Sequence, residues 1–228
     1  MGNRIALAVL IASIGACSTD VAPPQAEFDA PQKQPSSMRY RMDPARNRLW
    51  VLTSDGLFVY DARTPRKIVE VDLPEWLSVD TQYSCPPDLT LGPKGEAVVT
   101  SNIVPTLWRI DPETLAVSVH QLVLDADSDK DVGFSGLAYS AEHKVFFAVS
   151  DVHRSLWRID PLFRRGQKIG LSAPIQKACG IALRSRVAQY PTHRLAGLCV
   201  RTQQGVWTVE LAPDLRSAYV RATSCVGQ

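Results

Sequence analysis

Short apolar runs, each closed by a turn signal, recur along the chain from about Met38 to Gln228. The string LWRIDP occurs twice, at Leu107–Pro112 and Leu156–Pro161, 49 residues apart. The same slot is filled earlier by Leu57–Asp61 and later by Val206–Glu210. Its aromatic residue is in turn Phe58, Trp108, Trp157 and Trp207, at steps of 50, 49 and 50. A second run precedes each slot: Leu49–Leu52, Ala97–Thr100, Val145–Val149 and Leu195–Val200. A third precedes that: Arg39–Met42, Leu89–Leu91, Gly136–Tyr139 and Gly180–Leu183. A fourth follows the slot: Ile68–Val71, Val117–Leu122, a weaker Gln167–Leu171, and Ala218–Ala222. Asp-Pro, Gly-Pro-Lys-Gly and Ser-Asp-Gly punctuate the runs, so each unit reads as four short strands joined by turns.

A period near 50 with four strands per unit predicts an all-β chain, a β-propeller of about four blades. The recurrent aromatic then packs between blades, and the aspartate after it bonds into the following turn. The ring closes within one chain on the favoured reading; on the other, two chains each supply half of an eight-bladed ring. A β-sandwich leaves the repeated 50-residue echo unexplained.

Residues 1–17 read MGNRIALAVLIASIGAC: Arg4, an apolar stretch from Ile5 to Ile14, small residues, then Cys17. This is the layout of a secretory signal peptide. Ile14-Gly15-Ala16-Cys17 resembles a bacterial lipobox. That resemblance implies cleavage before Cys17, acylation of Cys17 and a membrane anchor. Ser18 rather than Asp follows, which by the same resemblance favours the outer membrane facing the periplasm of a Gram-negative cell. Residues 1–16 are read as signal peptide and 17–37 as lipidated Cys17 with a Pro-rich tether (Pro23, Pro24, Pro31, Pro35). Residues 38–228 are the domain.

The chain has 228 residues and a formal charge of +2, nearly balanced once Arg4 leaves with the leader. A balanced surface excludes nucleic acid as the expected partner. Cys85, Cys179, Cys199 and Cys225 remain for an oxidising compartment, an even number that predicts two disulfides. Pairing Leu183 with Leu195 sets Cys179 opposite Cys199 and leaves Cys85 with Cys225. Against this, Cys85 and Cys179 hold the same slot of two repeats, which face each other across the axis of a four-bladed ring.

Pro87-Asp88 leading into a strand, then Gly95 and Leu107–Pro112, is similar to a blade of gluconolactonase and regucalcin-like propellers. Ser135–Ser140 is similar to another. The resemblance implies a divalent metal in the channel and lactone hydrolysis, with Asp88 as a metal ligand. The chain departs at Ser135, where the family has Asn, and at Met38–Arg41, which offers no carboxylate for the family's Glu.

Asp125, Asp127, Asp129 and Asp131 alternate in a run that resembles a D-x-D-x-D calcium loop. Lys130 stands where such a loop needs Gly, and Gly136 stands where it needs Glu, so a solvated acidic loop is the favoured reading. His120, His143, His153 and His193 show no ligand spacing, and Ser135 misses a nucleophile elbow by one residue. Arg154, Arg158, Arg164 and Arg165 form a local basic cluster. The resulting expectation is a lipid-anchored extracytoplasmic propeller serving as a binding or scaffold module, with a protein or small-molecule partner. The alternatives are a divalent-metal-dependent hydrolase and a subunit that steadies a larger envelope complex.

Overall fold

A computed structural model describes residues 37–78, 85–127, 130–183 and 197–221. Every regular element among them is a strand, and none is a helix. The first unit is β1 (Ser37–Asp43), β2 (Arg48–Thr53), β3 (Gly56–Asp61) and β4 (Lys67–Val71). The second is β5 (Leu89–Leu91), β6 (Ala97–Thr100), β7 (Thr106–Ile110) and β8 (Val117–Gln121). A short β9 (Val123–Leu124) follows. The third is β10 (Gly136–Ser140), β11 (Val145–Ser150), β12 (Ser155–Ile159) and β13 (Arg165–Leu171). The fourth is β14 (Ala178–Leu183), β15 (Gly197–Thr202), β16 (Gly205–Leu211) and β17 (Ser217–Arg221).

Within each unit, sequential strands pair antiparallel in chain order, as the four-run pattern predicts. The third and fourth units also join edge to edge through parallel pairing of β13 with β17. The two-residue β9 pairs parallel with β13, a contact that periodicity does not announce. The fold is β-propeller-like. Residues 1–36 of the leader and tether lie outside the described residues, as do Asp129, His193 and Cys225, while Ser37, read as the last residue of the tether, opens β1.

The core lies between units rather than within one. Trp50, Leu52, Leu57 and Val59 of unit one meet Leu89, Val99, Trp108 and Ile110 of unit two. The opposite face of unit two (Val98, Leu107) meets Leu137, Phe146, Ala148 and Trp157 of unit three. Phe147, Val149 and Leu156 on the far face of unit three meet Leu198, Val200 and Val209 of unit four. Alternation along each strand therefore loads both faces, and neither face can be buried without a neighbour. The slot aromatic fills the wedge as expected for Trp108 and Trp157, whose indole N–H groups reach Pro74 O at 2.8 Å and Ser155 Oγ at 2.8 Å. On unit one the face turned from unit two leaves Tyr40 and Met42 of β1 exposed. A cleft of about 370 Å³ there is lined by Arg39 to Met42 and Arg201.

Equivalent turns repeat the same local chemistry. Asn47, Gly95 and Lys144 hold the same place in the first hairpin of units one to three, with φ of 50°, 83° and 53°. Gly and Asn tolerate this left-handed conformation; Lys144 holds it at a cost of about 1 kcal/mol. The aspartate after the slot does bond into its turn. Asp61 accepts from the Arg63 and Thr64 amides, Asp111 from Glu113 and Thr114, and Asp160 from Leu162, Arg164 and Arg165. These N–H groups hold the Asp61 and Asp111 carboxyls below their ordinary value, those of Thr64 and Thr114 contributing most.

Of the two arrangements the sequence leaves open, the structure has the one in which the facing slots of Cys85 and Cys179 meet, and not the hairpin pairing of Cys179 with Cys199. β14 and β15 pair Leu183 with Leu198 and Ala182 with Cys199, a register three residues from the expected one, with an irregularity between Ala178 and Gly180. An odd shift turns each side chain to the other face, so Cys179 does not meet Cys199. Cys179 instead bonds Cys85, with Cα atoms 4.9 Å apart. Cys199 is also disulfide-bonded, to a cysteine outside the described residues.

The innermost strands of units three and four approach through two glycines. A Cβ on Gly136 would lie 2.7 Å from Val149 Cγ2 and 2.9 Å from the Gly180 backbone. Gly136→Ala is expected to lower stability by about 1–3 kcal/mol, because backbone cannot yield as a side chain can. Gly170→Ala, whose Cβ would meet only Arg216 O at 3.5 Å, is expected to be neutral or stabilising by up to about 1 kcal/mol. Urea denaturation of both variants checks the contrast.

Candidate functional site

The axis is where the sequence reading placed its metal ligand, and Asp88 is there, 1% exposed, at the entrance to β5. Its carboxylate is fully engaged. Oδ1 accepts from the Leu89 amide at 2.9 Å, Arg39 Nε at 3.0 Å and an Arg41 guanidinium nitrogen at 3.4 Å. Oδ2 accepts from the Leu137 amide at 2.8 Å. The Asp88 amide donates to Thr100 Oγ1 at 2.8 Å, and that hydroxyl donates to Phe134 O at 2.7 Å. Arg39 also donates to the carbonyl of Cys179. One carboxylate and one guanidinium thus connect β1, β5, β10 and β14, the innermost strands of all four units.

Ser135, at the family's Asn position, donates its hydroxyl to Ala178 O at 2.5 Å and ties β10 to β14. Beside it the Cys85–Cys179 disulfide links chain positions 94 residues apart. Asp151 lies at the same mouth, and the sequence reading missed it. Burial pushes its carboxyl above the ordinary value, although the amides of Cys85 and Ala178 and the charges of Lys177 and Arg154 oppose the shift.

This arrangement does not fit a divalent metal. A dication at Asp88 would stand beside Arg39 and Arg41 and compete with them for the same lone pairs. Among the described residues, no group of three or more His, Cys, Asp or Glu side chains gathers to hold a metal ion. The alternation of Arg39 and Arg41 on one strand face, opposite a lone buried Asp, was the available signal for a structural knot.

In the acidic loop, ammonium groups occupy the ground a cation would take. Asp127 pairs with Lys130 at 2.9 Å and Lys168 at 2.5 Å. Asp125 accepts from the Lys168 amide at 2.9 Å. Asp131 meets His153 Nε2 through its backbone carbonyl. Lys168 and then Lys130 hold the Asp127 carboxyl well down, from 3.8 to about 2. The loop is fastened to β13 through Lys168, whose ammonium meets Asp127 and whose amide meets Asp125. Elsewhere, His120 packs edge-on against Phe163, and burial pushes its imidazole down.

The basic cluster divides. Arg154 sits in the turn before β12. Arg158, Arg164 and Arg165 line a cavity of about 550 Å³ on unit three, together with Val145, Asp160 and Gln167.

No family model matches the chain, and no curated protein matches it in sequence. Solved structures do. A virginiamycin B lyase from Staphylococcus aureus superposes with a TM-score of 0.60 at 14% identity, over 87% of this chain and 60% of that one. An auxiliary nutrient binding protein from Bacteroides thetaiotaomicron gives 0.54 at 11%, over 85% and 43%. PorZ, a surface component of the type-IX secretion system of Porphyromonas gingivalis, gives 0.51 at 11%, over 85% and 23%. The chain spans less than two thirds of each of these structures. At such identities the likeness shows a shared propeller-like fold.

Two outcomes follow from this geometry. Asp88→Ala strands Arg39 near the axis and is expected to cost about 3–5 kcal/mol in chemical denaturation. Asp127 contributes stability that is fully present above 3.8 and is lost as pH falls toward 2, because its folded-state carboxyl titrates lower than its unfolded one. Acid titrations at low salt are expected to show part of this slope disappearing in Asp127→Asn.

Proposed function

We propose that the chain is a lipid-anchored, extracytoplasmic β-propeller whose four units are four blades and which works as a binding module in a bacterial envelope. The observation that carries this reading is the saturated state of Asp88. The axial position that a metal-dependent hydrolase of the resembled family would use is a crosslink between strands. With the axis locked, the surfaces left for recognition are the loops and concavities on a rigid disc. The disulfide suits an oxidising compartment. An auxiliary nutrient binding protein and a surface component of a secretion system share the fold, which supports a binding role. Membrane attachment is through Cys17, carried by Ile14-Gly15-Ala16-Cys17. The partner is a protein or a small molecule, and not a nucleic acid.

The test separates this reading from the hydrolase. Calcium, zinc and manganese are titrated calorimetrically into the full-length chain and its Asp88→Asn and Asp127→Ala variants, and lactone turnover is assayed in parallel. The expected result is no metal binding and no turnover that depends on Asp88. Metal-dependent turnover that disappears in a folded Asp88→Asn variant overturns the binding-module reading. Cell fractionation tests the anchor: Cys17→Ala is expected to move the chain from the membrane to the soluble fraction.

A further inference from the structure

The two copies of LWRIDP allow a comparison within one molecule. In unit two the arginine of the string, Arg109, forms an ion pair with Glu96 at 3.1 Å. Glu96 is nearly buried, and its other oxygen accepts the Lys94 amide at 2.8 Å. The registers Ala97↔Ile110 and Phe146↔Ile159 make Glu96 and Val145 equivalent. Unit three therefore keeps the arginine, as Arg158, and lacks the carboxylate that neutralises it.

The turn that follows diverges in the same direction. Asp111 and Asp160 begin turns of equal length, in which Leu115 and Ala116 of unit two become Arg164 and Arg165. Three guanidiniums thus replace one that is paired. Arg158 is half-buried and donates to the neutral Gln167 side chain; Arg164 and Arg165 are exposed. None of the three has an ion pair among the described residues. The one carboxylate in the lining, Asp160, is engaged by the amides of Leu162, Arg164 and Arg165. The cavity these residues enclose, about 550 Å³, is large enough for a small ligand.

We propose that this cavity on unit three is a binding site for a phosphate-bearing anion, held by Arg158, Arg164 and Arg165. The proposal rests on the binding-module reading and names the ligand class for it. Guanidinium forks match phosphate oxygens in pairs, and a half-enclosed cluster of like charges gains most from a multivalent anion. Val145 at the cavity wall removes the competing carboxylate and leaves an apolar floor. The phosphate can belong to a free small molecule or to a lipid headgroup, since the chain is read as membrane-anchored; the chemistry is the same.

Calorimetry on the full-length chain with inorganic pyrophosphate tests the site, beside flotation with vesicles of phosphatidylcholine alone or mixed with phosphatidylglycerol. Saturable, salt-sensitive binding is expected for at least one of the two phosphate forms, and which one binds identifies the source. Arg158→Gln and Arg164→Gln are each expected to weaken it about tenfold or more. Val145→Glu, which restores the carboxylate that unit two carries, is expected to abolish it. Arg154→Gln, outside the cavity, is expected to bind as the parent does. Circular dichroism and thermal melts establish that the variants are folded. Absence of binding in both forms, or an equal loss in Arg154→Gln, overturns the site while leaving the module reading intact. Anion binding alongside Asp88-dependent turnover overturns the module reading and leaves the site standing.

Discussion

The buried ion pair between Asp88 and Arg39 is the contact on which the rest of the structure depends. A propeller-like chain buries its faces between units, but its innermost strands crowd an axis where backbone groups need partners. Asp88 supplies acceptors to β1, β5 and β10, and Arg39 carries the connection onward to β14. Neither charge would be tolerated there alone, since an isolated buried ion costs several kcal/mol. Their mutual neutralisation makes the axis habitable, and Ser135 and the Cys85–Cys179 bond add two further ties at the same end. Both oxygens of Asp88 are engaged by this crosslink between strands.

Against this rigid centre, the repeats vary outward in a way that has chemical meaning. Trp108 and Trp157 keep their packing role, and Asp111 and Asp160 keep their turns. The surface charge around the shared arginine does not stay constant: unit two closes it with Glu96, and unit three opens it with Val145 and adds two more arginines. The acidic loop after β9 shows the opposite tendency: Lys130 and Lys168 both pair with Asp127, and Lys168 fastens the segment to β13. One local excess of charge is quenched by its neighbours, and the other is left facing a cavity.

Strand order, the four-run unit and the inter-unit role of the slot aromatic were all legible along the chain. Side-chain alternation and turn residues are local properties with a fixed period, so Trp108, Trp157 and the turn aspartates could be placed from spacing alone. That cysteines of the domain pair was legible from their even number.

The partners of Cys179 and Asp88 were decided only by the tertiary structure. β14 and β15 pair Leu183 with Leu198 rather than with Leu195, and the apolar spacing of the two runs does not fix that register. Asp88 carries a motif that reads equally well as ligand or crosslink. What distinguishes them is that Arg39 and Arg41, 49 and 47 residues away, arrive at the same point. Sequence reports periodicity because periodicity is local. It does not report which charges from distant repeats converge, because that is set by how the units turn about their axis.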